Sequence, residues 1–160
     1  MPRPTLGKKA PNFKLNATGD KTIALKDLKG KVVVLYFYPR DATPGCTQQG
    51  CEFRDLHKKF NKLNALILGV SRDSIKSHER FKLKQEFPFD LLADEDETLC
   101  NLFDVMVDKN MYGKKVRGIQ RSTFIIDESG KLIKEWRKVK VNGHVDEVYE
   151  FLVGNACGHL

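Results

Sequence analysis

Residues 31 to 51 of this 160-residue chain read KVVVLYFYPRDATPGCTQQGC, which describes a strand that must end, a helix that must begin, and a cysteine in that helix's first turn. The β-branched and aromatic run at 31 to 38 suits a buried strand. Pro39 has no N–H to give to a sheet ladder, so the chain leaves the sheet there. Thr43, Pro44 and Gly45 then read as N-cap, first and second helical positions. A threonine hydroxyl can accept an early backbone N–H, and proline fits where no intrahelical donor is needed. Cys46 falls in the first turn and Cys51 follows five residues later.

A cysteine in a first turn sits among unpaired N–H groups at the positive end of the helix dipole. This favours thiolate over thiol and lowers the pKa from the ordinary value of about 8.5. At about 100° per residue, Phe53, Leu56 and Phe60 form an apolar stripe, and Cys46 lies roughly 20° from Phe53 on that same face. Cys46 is therefore expected to point to the core. Cys51 is roughly 140° away, on the face of Arg54, Asp55 and Lys58, and is expected nearer to solvent. In an intact helix their Cα atoms are roughly 8.7 Å apart, beyond the limit of about 7 Å for a disulfide. Bonding them needs local unwinding, and Gly50 lowers helix propensity where it would occur.

The spacing Pro39, Thr43, Cys46 resembles the peroxidatic motif of the peroxiredoxins, and Cys51 matches the resolving position of their bacterioferritin comigratory protein, or PrxQ, subgroup. A second segment agrees: GIQRSTFIID at 118 to 127, whose Arg121 matches the family's arginine beside the peroxidatic sulfur. The resemblance covers residues 5 to 153. It implies a thiol peroxidase for hydrogen peroxide and organic hydroperoxides. Cys46 attacks the terminal peroxide oxygen and becomes a sulfenic acid, and Cys51 condenses with it to an intramolecular disulfide. Thioredoxin or a similar dithiol reductant then recycles the enzyme. In this reading Thr43 and Arg121 stabilise developing negative charge, and Pro39 shields the sulfur. No metal or organic cofactor is required, since sulfur carries both electrons.

Along the rest of the chain, short strands within 13 to 28 around a Gly-Asp turn give an N-terminal β-hairpin. A strand at 31 to 38, a helix at 43 to 60, a strand at 64 to 71 and a helix at 74 to 86 suggest a right-handed crossover and a parallel core. A strand at 90 to 93, a helix at 97 to 103, strands at 122 to 127 and 131 to 139, and a helix at 144 to 152 complete the order. The expected class is α/β, a thioredoxin-like fold with a central mixed sheet flanked by helices. One domain is expected, with a core at 5 to 153 and a C-terminal tail at 154 to 160. Residues 106 to 120, rich in lysine and arginine, read as a basic loop leading into Arg121: a mobile rim of the peroxide pocket, a docking surface for an acidic reductase, or a solvated loop.

Neither a charged-then-apolar leader nor an apolar run near 18 residues is present, which points to a soluble cytoplasmic protein with no membrane partner. The net charge of +7 raises nucleic acid, but no nucleic-acid motif accompanies it, and none is expected as a partner. An intrachain resolving cysteine needs no second subunit, so a monomer is expected. Cys100 reads as a packed thiol with an alternative resolving role, and Cys157 as a tail thiol open to adventitious disulfides. His57 is too far along the helix to serve as a base for Cys46. His78, His144 and His159 have no metal-ligand spacing with the cysteines. A redox sensor using the same cysteine pair is the alternative function, and a basic nucleic-acid-binding protein with incidental thiols a third.

Overall fold

In the computed structural model, which describes residues 3–157 with side chains through residue 155, seven strands form one sheet in the order Lys21–Ala24, Lys14–Ala17, Asp90–Ala93, Ala65–Ser71, Val32–Phe37, Ser122–Ile126, Leu132–Trp136. The central strand β3 (Val32–Phe37) pairs in parallel with β4 (Ala65–Ser71), which pairs in parallel with β5 (Asp90–Ala93). The helices α1 (Pro44–Asp55) and α2 (His57–Lys62) connect the first pair, and α3 (Ile75–Gln85) the second. The first is the crossover expected from the alternating apolar runs, and the second repeats it through α3. β8 (Ser122–Ile126) and β9 (Leu132–Trp136) add antiparallel strands on one side. The hairpin β1 (Lys14–Ala17) and β2 (Lys21–Ala24) adds them on the other. The sheet is mixed, as expected.

Every residue of β3 is buried because both faces of the sheet are covered. Alternation along the strand divides the core in two. Val33, Leu35 and Phe37 pack with Leu99, Cys100, Phe103 and Phe124 on one face. Val34, Tyr36 and Tyr38 pack with Cys46, Phe53, Phe60 and Val148 on the other. The first face is covered by α4 (Thr98–Leu102) and the N-terminal segment, the second by α1, α2 and α5 (His144–Cys157). No helix among the described residues is long and apolar enough to cross a membrane.

Four elements depart from the sequence reading. The helix expected over 43 to 60 is interrupted at Leu56, whose φ of −100° and ψ of 6° lie in the bridge region. Phe53 and Phe60 still meet with ring centroids 5.8 Å apart, because seven residues return the chain to the same face. Residues 25 to 28, grouped with the second strand of the hairpin, form a 3-10 turn. The expected loop at 106 to 120 is a separate hairpin, β6 (Met106–Met111) and β7 (Lys114–Ile119). Its turn residues Tyr112 and Gly113 have φ of 54° and 79°, the left-handed pair a two-residue hairpin requires. Most of β7 is exposed, so backbone pairing holds it and no apolar alternation marked it in the sequence. Finally, α5 runs to Cys157 where a tail was expected from 154. The Cys157 and His159 side chains lie outside the described residues.

Candidate active site

The loop from Pro39 to Thr43 carries the chain off the end of β3 and into α1. Thr43 has the extended backbone of an N-cap, with φ −80° and ψ 155°, and Pro44 opens the helix. The hydroxyl differs from expectation, since it caps no helical N–H. It donates instead to the Arg40 carbonyl at 3.0 Å, which leaves its oxygen lone pairs available as acceptors.

Cys46 is buried in the first turn, on the Phe53 face as the helical periodicity requires. Its Sγ accepts from Arg121 Nη2 at 3.3 Å. Sheet register brings these residues together across 75 positions: β3 sets Phe37 opposite Ser122, so Arg121 arrives level with the loop that follows β3. A Cβ on residue 45 would stand 3.2 Å from Arg121 Nη2, so the glycine there gives the guanidinium room. No acidic side chain occupies the first turn of α1 to compete with a sulfur anion.

Gln49, one turn after Cys46 and fully buried, was not singled out from sequence. Its Oε1 accepts from Arg121 Nη1 at 2.5 Å, so one guanidinium spans the sulfur and an amide on the same helix face. The signal was legible as a polar residue at i+3 from the cysteine, on a stripe read only for its apolar members.

Cys51 is half-buried at the edge of the same core layer, with Sγ 3.5 Å from Gln85 Oε1. Both thiols are free and both belong to α1, so the helical separation of roughly 8.7 Å applies to them. Gly50 has a second reason to be glycine: a Cβ there would run into the Phe87 ring. Cys100 lies on the other face of the sheet, its thiol pushed far up by burial and by Asp94. The sheet itself separates it from Cys46.

A cavity of about 370 Å³ opens beside Pro39 and Thr43. Met111, Val116 and Ile119 give it an apolar wall, and Arg72 and Lys109 contribute cationic groups. Burial and the neighbouring Arg121 lower the Lys109 pKa. This is space for an alkyl group beside the loop that leads into the Cys46 helix. The segment read as a basic loop thus supplies one side of the cavity.

The fold also gathers ligand-type atoms of Asp41, Asp73 and His78 within 4.8 Å of one another, a set that sequence spacing did not reveal. His144 stands behind Arg121 at the start of α5, with Nε2 2.8 Å from Thr123 Oγ1. Burial first, and the Arg121 charge second, lower its pKa to about 4. Above pH 6.5 both folded and unfolded chains are neutral at this site. As pH falls from there toward about 4, the unfolded chain takes a proton that the folded chain refuses, and stability drops. Between pH 7 and pH 5 the expected loss from this group is about 2 kcal/mol. Urea unfolding of wild type and His144→Gln at both pH values tests it. An equal pH slope in the two proteins would contradict the assignment.

The chain is similar to known proteins along most of its length. A model of the AhpC/TSA family matches residues 6–135. The chain is 52% identical over 143 residues to a putative peroxiredoxin bcp of Coxiella burnetii, covering 89% of this chain and 95% of that one. It is also 52% identical over 147 residues to peroxiredoxin Bcp of Bacillus subtilis, covering 92% and 94%. Among solved structures, a cysteine-to-serine mutant of Xylella fastidiosa PrxQ superposes with a TM-score of 0.92 at 42% identity, over 98% of this chain and 99% of that one. The bacterioferritin comigratory protein of Xanthomonas campestris, solved as trapped intermediate and ligand complexes of its alkyl peroxide reduction, superposes with a TM-score of 0.86 at 49% identity, over 90% and 92%.

Proposed function

Since this chain belongs to the AhpC/TSA family, among the Bcp/PrxQ peroxiredoxins, and is a peroxidase working through cysteine redox chemistry, we propose that Cys46 is its peroxidatic nucleophile and Cys51 its resolving thiol. The observation that carries this reading is the 3.3 Å contact between Arg121 Nη2 and Cys46 Sγ at a helix start. A guanidinium there stabilises the thiolate and the charge that moves to the departing oxygen. The thiolate forms a bond to the terminal peroxide oxygen and the O–O bond breaks. The other oxygen leaves as water or alcohol after taking up a proton, and Cys46 becomes a sulfenic acid. Thr43 Oγ1, whose O–H donates to the Arg40 backbone carbonyl, can accept from the peroxide O–H and so orient it. Pro39 borders the cavity without offering a donor that would compete for the peroxide.

Cys51 then displaces water from the sulfenic acid to form the disulfide, and thioredoxin or a similar dithiol reduces it with two electrons. Cys51 is favoured over Cys100 because it shares the Cys46 face of the sheet. The chain is read as one domain acting as a cytoplasmic monomer, since an intrachain partner removes the need for a second subunit.

The disulfide demands unwinding of α1, and hydrogen exchange reports it. Amides from about Cys46 to Glu52 should exchange much faster in the oxidised form, while Leu56 to Phe60, tied to the core through Phe60, stay protected. Equal protection in both redox states would point to a resolving partner other than Cys51. Repeated turnover of peroxide with a thioredoxin system separates a peroxidase cycle with this reductant from a single stoichiometric oxidation, as a redox sensor would give.

A further inference from the structure

Asp41 sits between Pro39 and Thr43, and its buried side chain leaves the active-site loop for the opposite direction. Its Oδ1 accepts from the Tyr38 hydroxyl at 2.6 Å, and its Oδ2 from the Ser77 hydroxyl at 2.8 Å. Oδ2 also meets His78 Nδ1 at 2.7 Å. The Asp41 amide donates to Asp73 Oδ2 at 2.9 Å. His78 is fully buried, and its other nitrogen, Nε2, lies 2.9 Å from the Leu92 carbonyl. A carbonyl can only accept, so Nε2 carries a hydrogen, and Nδ1 faces the Asp41 carboxylate. The loop is thereby bolted to the first turn of α3 and, through the same ring, to β5.

The residue after Asp41 explains why a bolt is needed. Ala42 has φ +63°, a left-handed conformation that a Cβ disfavours. Such conformations persist only where the surroundings over-determine them. This turn at Ala42 delivers Thr43 to the N-cap and Cys46 to the first turn.

We propose that Asp41 and His78 form a positioning pair for peroxide reduction: the pair holds Ala42 in its left-handed turn and so fixes Pro39 and Thr43 against the Cys46 sulfur. The inference rests on Cys46 being the nucleophile. Because the pair acts on geometry around the sulfur, its loss slows attack on peroxide more than it slows simple alkylation of the thiolate, which needs no Thr43.

The test exploits the two nitrogens. Asparagine at 78 can place an amide N–H near the Nδ1 position and keep a donor to Asp41, whereas glutamine places one near Nε2 and keeps only the Leu92 bond. His78→Gln should lower the second-order rate constant for hydrogen peroxide by about tenfold or more. His78→Asn should stay within about threefold of wild type, and iodoacetamide alkylation should change by less than about threefold in both. A merely structural histidine would affect both variants alike and leave the rate of the folded protein untouched. Should His78→Gln not fold, Ser77→Ala removes one donor to the same carboxylate oxygen and should slow the peroxide step about threefold. A wild-type peroxide rate in folded His78→Gln, equal losses for Asn and Gln, or a parallel fall in alkylation would each overturn the proposal. Peptide mapping of the oxidised thiol runs alongside: oxidation at a cysteine other than Cys46 would sink the underlying reading instead.

Discussion

Replacing Cys46 by serine is expected to abolish peroxide reduction. A serine hydroxyl has a far higher pKa than a thiol and stays protonated. The neighbouring guanidinium can stabilise an anion but cannot accept its proton. Cys51→Ser should behave differently, keeping the first oxidation at full speed and losing turnover with thioredoxin, because among the described side chains no other thiol then lies on the sulfenic acid's side of the sheet. A dimedone-type reagent should trap the sulfenic acid in the Cys51 variant at Cys46, read by peptide mass. Modification at any other cysteine would falsify the assignment. Cys100→Ser should have no effect on the peroxide step, since its thiol is buried on the far face.

Arg121→Ala is expected to slow the peroxide step by roughly a hundredfold or more, the usual cost of removing one transition-state donor. The structure raises the stakes of this substitution. The guanidinium bridges Cys46 Sγ and Gln49 Oε1, and Gln49 is fully buried with its Nε2 already unpartnered, so its loss leaves the whole amide without a hydrogen bond. Arg121→Lys should recover little, because a point charge cannot reproduce the fork that reaches both partners. Thr43→Val should slow the same step to a similar degree, as it removes the acceptor facing the peroxide and leaves the Arg40 carbonyl unpaired. The measurement is the second-order rate constant for peroxide, with folding checked by unfolding midpoints. If Arg121→Ala and Thr43→Val both react at wild-type speed, the site as drawn is wrong.

The sequence by itself determined the features that neighbours in the chain decide. β3 at Val32–Phe37, the helix opening at Pro44, the buried face of Cys46 and the strand at Asp90–Ala93 follow from β-branched runs, a proline that ends a ladder and a 3.6-residue period. The motif residues Pro39, Thr43, Cys46, Cys51 and Arg121 were picked out by resemblance to the peroxiredoxins, whereas the half-exposed position of Cys51 and the distance that keeps the two thiols apart follow from the helical period. The hydroxyl of Thr43 was misread because local spacing fixes a backbone conformation but not which of two nearby partners a rotating hydroxyl selects. Only the tertiary structure decided the rest. The hairpin at Met106–Ile119 carries no apolar alternation along its exposed strand β7, so its existence depends on backbone pairing. The Arg121 contacts to Cys46 and Gln49, and the Asp41 contact to His78, join residues 37 to 75 positions apart. Such contacts are set by which strands pair and in what register, a choice made by the summed packing of both sheet faces and written in no single segment.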